Sequence, residues 1–155
     1  MKRMLSGLLF LLLAGSVVAQ DATVVGGWTL LDQFDKPYTV NAELRVVLIA
    51  RDMAGSQLVK SALEGRPAGY LEARHVVFVA DISRMPAPIS AMFAVPAMRD
   101  YSYRVLLDRD ARIASRFTAQ PEVVTWLQVE RGRVVDIRRF DSTDTLRQAL
   151  ERGAP

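Results

Sequence analysis

The side chains that carry most covalent chemistry in proteins are scarce in this chain of 155 residues: cysteine is absent and His75 is the single histidine. Thiol exchange and cysteine-based peroxide reduction both need a thiolate, so neither is open to it. One histidine with no thiol beside it cannot complete a zinc site of the usual kind. What remains is a set of cations, carboxylates and one hydroxyl in three short groups. Arg51, Asp52 and Ser56 form the first, with Lys60 one turn further on; Asp81 and Arg84 form the second; Asp108, Arg109 and Asp110 form the third. Such groups can bind a small anion, hold a hard cation between carboxylates, or act as acid and base. The same residue types more commonly cap helices and form Asx turns. Met53, Met85, Met92 and Met98 are soft thioethers that suit copper(I). Their spacing fits the packing of a helix core better than a chelate. The sequence contains no G-x-G-x-x-G after a strand, no Walker loop, no H-E-x-x-H and no Ser-His-Asp set. No cofactor, metal site or catalytic residue is therefore assigned, and a flavin-dependent oxidoreductase or a metal-binding protein stands only as the alternative.

The elements that must position these groups are legible as runs of residues. Residues 28–31 and 38–40 are short β-prone runs around a turn-rich segment, which predicts a hairpin. Residues 45–50 (RVVLIA) and 75–80 (HVVFVA) are continuous apolar runs of strand length, the signature of strands covered on both faces. Between them Leu58, Val59, Ala62 and Leu63 recur at helical spacing over 56–64, with Ser56 or Asp52 available as a cap and Gly65 and Pro67 as a stop. Ile89, Met92 and Phe93 predict a second helical stripe, broken or kinked at Pro96. A strand over 104–107, a short helix over 111–117, a hairpin of 123–129 with 134–140 turning at Gly132, and an amphipathic helix carrying Leu146, Ala149 and Leu150 complete the chain. Strands alternating with helices give a central mixed sheet with helices on both faces, in one domain. The first chemical group then follows a strand at the start of a helix, and the second and third, Asp81 and Arg84 with Asp108, Arg109 and Asp110, fall at or just past the C-terminal ends of strands, where ligands gather in open α/β sheets.

The first residues read as a secretory signal. Lys2 and Arg3 precede the apolar stretch 5–14, and Val17 and Ala19 suit cleavage after Ala19, leaving Gln20 to Pro155. The apolar stretch is too short to span a bilayer, so no stable membrane insertion is expected after cleavage. The mature protein is expected in the periplasm. Without Lys2 and Arg3 the 20 basic residues become 18 against 17 acidic ones, and no basic run survives, so nucleic acid is not an expected partner.

Several segments, taken in order, resemble the thioredoxin superfamily, in particular its exported thiol-reductase and peroxiredoxin-like branch. Residues 28–38 (WTLLDQFDKPY) are similar to that branch's opening strand and D-x-x-G-K-P type turn, with Phe34 and Asp35 replacing the usual pair before Lys36 and Pro37. Residues 103–117 (YRVLLDRDARIASRF) resemble its strand, D-x-D/N turn and short helix, and 124–132 resemble the strand from its Pro-Thr to a turn glycine. The resemblance implies a thioredoxin-like α/β fold with an N-terminal hairpin. It places the family's cysteines in the loop 51–58, which here reads RDMAGSQL, and its substrate-shaping proline at Val124, where a trans bond is expected. Together these features lead to a redox-inactive binding or adaptor protein. Its partner, a protein or a small molecule, would sit on the edge formed by Arg51, Asp52, Ser56, Asp81, Arg84 and Asp108.

Overall fold

In a computed structural model of the protein, residues 25–117 and 119–153 are described. The expected leader and cleavage site lie outside the described residues. Among those that are described, no helix is long and apolar enough to cross a membrane.

Seven strands form one sheet: β1 (Thr29–Asp32), β2 (Pro37–Thr39), β3 (Val46–Ala50), β4 (Val76–Asp81), β5 (Leu106–Asp108), β6 (Val124–Glu130) and β7 (Arg133–Phe140). Their order across the sheet is β2-β1-β5-β4-β3-β6-β7. β3, β4 and β5 run parallel, while β1 and β6 join this centre antiparallel on its two sides. The two continuous apolar runs are the central parallel strands, as predicted. Both faces of β3 are covered: Val46, Leu48 and Ala50 point into one core, Val47 and Ile49 into the other.

Helices close both faces. On one side α1 (Met53–Ala62) and α5 (Thr143–Arg152) set Val59, Ala62, Leu146 and Leu150 against Leu48, Phe78 and Trp126. On the other, α4 (Arg112–Arg116) sets Ile113 and Ala114 against Val47, Ile49 and Leu127. Each large side chain buried in this way contributes about 1.5–3 kcal/mol.

Three boundaries depart from the sequence reading, each for a local reason. First, α1 begins at Met53 rather than Ser56, because Asp52 is the cap: its Oδ1 accepts the Gly55 N–H at 2.8 Å. Ser56 instead lies within the first turn, its own N–H bonded to the Asp52 carbonyl. Second, β4 starts after His75, which has a positive φ of 55° and is exposed. Third, β5 is only three residues long, because the Val105 N–H is taken by the Gln33 side chain at 2.9 Å instead of entering the ladder.

The stripe at Ile89, Met92 and Phe93 is helical but faces water. It spans α2 (Ala87–Ile89), a π-helical turn (Ser90–Ala94) and α3 (Val95–Met98). The Val95 N–H reaches back five residues to the Ser90 carbonyl. Pro96 has no N–H to continue an ordinary ladder, and the wider turn lies just ahead of it. Met92 is 68% exposed and Met53 67%, so of the four methionines only Met98 fills the core as expected.

The β6–β7 hairpin turns on Arg131 and Gly132, both at positive φ, the geometry of a type I′ turn. Described peptide bonds are all trans, including the bond that leads into Val124.

Candidate functional site at the carboxyl ends of the parallel strands

β3 and β4 end side by side, in register from Val46 opposite Val76 to Ala50 opposite Ala80. The chain then leaves in two directions, through Arg51 and Asp52 into α1 and through Asp81 into the loop before α2. Between these exits and α3 lies a cavity of approximately 460 Å³. Arg51, Asp52, Ser56, Asp81 and Arg84 all line it, as does Lys60. Five of the six residues singled out from the sequence thus converge on one space.

Asp108 does not join them. It is fully buried, and its carboxylate accepts three backbone N–H groups: Arg112 at 2.9 Å on Oδ1, with Ile113 at 2.8 Å and Ala114 at 2.9 Å on Oδ2. It starts α4 on the other face of the sheet. The residue that precedes α4, Ala111, has no side chain able to do this and sits at a positive φ of 54°. A strand-end aspartate here is a remote helix cap, not a ligand residue.

The floor of the cavity is an ion pair. Arg51 Nε lies 3.6 Å from Asp81 Oδ2, with 24% of the arginine side chain exposed and none of the aspartate's. Among the described residues, neither of these two atoms has a hydrogen-bond partner. One further atom of each residue is tied down: Arg51 Nη1 donates to the Ala119 carbonyl at 3.0 Å, and Asp81 Oδ1 accepts the Ser83 N–H at 3.0 Å. Asp52 is committed too. Its second oxygen accepts the Glu122 N–H at 2.8 Å, so adjacent residues 51 and 52 fasten the start of α1 to the segment entering β6.

Lys60 and Arg84 are held differently. Lys60 Nζ stands 5.3 Å from the centroid of the Tyr101 ring and forms no ion pair, and Arg84 is exposed with neither an ion pair nor a hydrogen bond among the described residues. The walls are apolar: Phe78 and Ile82 from β4 and its exit, Ala94, Ala97 and Met98 from the helical stretch, and Met53 at the mouth. Of these wall residues only Met53 and Met98 were singled out from the sequence, as thioethers and not as part of this cavity. The signal for the others was present in part, since Phe78, Ala80 and Ile82 alternate onto one face of the strand and its exit. No signal located Tyr101, which is brought in by stacking on Tyr103 at 5.1 Å between ring centroids.

A smaller cavity of approximately 220 Å³ lies at the opposite end of β4, against His75, Tyr38 and Glu72, and holds none of the predicted residues. Among the described residues, no group of three or more His, Asp or Glu side chains is gathered to hold a metal ion.

No family model and no curated protein sequence matches the chain. Solved structures do. The exposed lipoprotein thioredoxin of Streptococcus pneumoniae is 15% identical with a TM-score of 0.56, over 81% of this chain and 98% of that one. A secreted Mycobacterium tuberculosis disulfide oxidoreductase homologous to E. coli DsbE is 14% identical with a TM-score of 0.51, over 81% and 95%. Peroxiredoxin Q from Xanthomonas campestris is 13% identical with a TM-score of 0.53, over 83% and 92%. The sheet order, the crossing helices and these likenesses agree: the chain has the thioredoxin-like fold, in a form that contains no cysteine.

Proposed function

We propose that this is an exported binding or adaptor protein that does no thiol chemistry, and that its ligand or partner occupies the cavity at the ends of β3 and β4. The observation that carries the reading is the convergence of Arg51, Asp52, Ser56, Asp81 and Arg84, with apolar walls, on that one space. A fold acts through its sites, and this site lacks the thiol on which disulfide exchange depends. Its volume is within the range of roughly 300–1,000 Å³ typical of small-molecule pockets. Export is supported by the charged, apolar and small-residue order of positions 2–19 and by the exposed or secreted character of two of the structural neighbours.

The test is to fill the cavity in the living source strain. Ala97 is an exposed wall residue, so Ala97→Phe occupies the space without disturbing the core. The variant should reproduce the phenotype of a deletion strain while the protein stays at its normal level in the periplasmic fraction. Wild-type behaviour with the cavity filled would refute the site, and recovery of the protein from the cytoplasm alone would refute export.

A further inference from the structure

The charges lining the cavity do not cancel. Its two carboxylates are already engaged: Asp52 by the N–H groups of Gly55 and Glu122, Asp81 by Ser83 and Arg51. Among the described residues Lys60 and Arg84 have no counter-charge, and they come from different elements, one from α1 and one from the loop after β4. The same cavity is lined by Phe78, Ile82, Met85, Ala94, Ala97 and Met98, which offer a ligand contact but no hydrogen bond through their side chains, and Ser56, Gln57 and Tyr101 are the uncharged polar residues of its lining. An apolar body gains from leaving water for such walls, and a cation left unpaired beside them is complemented by a single negative head. A cationic head would meet Lys60 and Arg84, and a polar body would lose water against methionine and phenylalanine side chains that return no hydrogen bond.

We infer that the cavity binds a free amphipathic carboxylate, an apolar chain or ring carrying one anionic group, with the head held by Lys60 and Arg84 and the body against the apolar walls. This rests on the cavity being the functional site. The head groups are solvent-facing, so their contribution is modest and falls with salt, whereas the body supplies most of the affinity.

The probe is dodecanoate below its micelle concentration, titrated calorimetrically into the purified protein beside dodecanol and dodecyltrimethylammonium. Saturable binding of one dodecanoate is expected, about tenfold or more tighter than the alcohol and tighter still than the cation. Lys60→Gln with Arg84→Gln, both at exposed positions, should erase that preference while leaving the thermal midpoint unchanged. Equal binding of dodecanoate and dodecanol would overturn the inference by showing apolar filling without charge recognition. Absence of saturable dodecanoate binding would also overturn it. The cell experiment separates the two levels. If Ala97→Phe abolishes function but dodecanoate does not bind, the site stands and its occupant is of another class, such as a protein segment. If Ala97→Phe is silent, the site itself fails.

Discussion

Replacing Gly55 with alanine tests how tightly α1 is seated. A Cβ on Gly55 would stand 2.7 Å from the Val123 carbonyl oxygen, 3.2 Å from Ala50 Cβ and 3.4 Å from Asp52 Oδ1. In a free helix the same change stabilises by about 1 kcal/mol, because glycine is the poorer helix former. Here the nearest atom is backbone, and that backbone is held on both sides. The Glu122 N–H is bonded to Asp52, and Val124 is in register with Ala50 in the β6–β3 ladder. The carbonyl therefore yields only if the start of α1 moves away from β6. Overpacking of this kind costs roughly 1–3 kcal/mol, occasionally more. With the cost near its upper end, as a backbone obstacle implies, the propensity gain leaves a net loss of about 1–2 kcal/mol, or ~5 °C in the thermal midpoint of a domain this size. Urea unfolding followed through the buried Trp126 measures it. The companion Ala54→Gly, at an exposed position in the same helical turn, reports the propensity term with the opposite sign. A Gly55→Ala protein as stable as wild type, or more stable, would refute the argument that α1 packs on Val123 at contact distance.

Asp108→Ala should cost about 3 kcal/mol in urea unfolding, because it strands three buried N–H groups at the start of α4; a loss under 1 kcal/mol would mean that water or another group replaces the carboxylate. Burial first, and then the neighbouring Tyr101, holds the Tyr103 phenol well above its ordinary value of 10.0. The unfolded chain therefore ionises at that residue before the native one does, and the stability attached to the neutral phenol is complete below pH ~10 and lost as pH rises beyond it. Tyr103→Phe removes this pH dependence along with a buried hydroxyl that has no partner among the described residues. The difference in stability between the variant and wild type should accordingly grow in the variant's favour from about pH 9 to about pH 11, and a flat difference would refute the assignment.

The parts of the fold that could be read in advance were those whose cause lies within a few residues. Continuous apolar runs identified β3 and β4, and the strand-end rule brought five of six candidate residues to one cavity. The misplacements have longer causes. Asp52 and Ser56 are equally good caps on paper, and only the hydrogen bond from Gly55 distinguishes them. β5 is shortened by a glutamine 72 residues earlier in the chain. Ile89, Met92 and Phe93 share a helix face as the spacing requires, but periodicity cannot say whether a face meets a core or water. Asp108 obeyed the strand-end rule and still pointed away, because the helix that follows it lies on the opposite side of the sheet.

Gln33 imposes an order in time as well as an energy. It is almost completely buried, and its side-chain amide donates to the Tyr103 carbonyl at 2.9 Å and the Met98 carbonyl at 3.3 Å while accepting from the Val105 N–H. Every one of these partners lies 65 to 72 residues downstream. The hairpin that carries Gln33 is synthesised well before the groups that hold it, which are complete only when Val105 has been made. β1 likewise waits for β5, its neighbour in the sheet. Closing so long a loop is slow relative to forming the local helices. The hairpin is thus synthesised before the groups that hold it and settles only once they are available, and during that interval its apolar residues are exposed to whatever else is present.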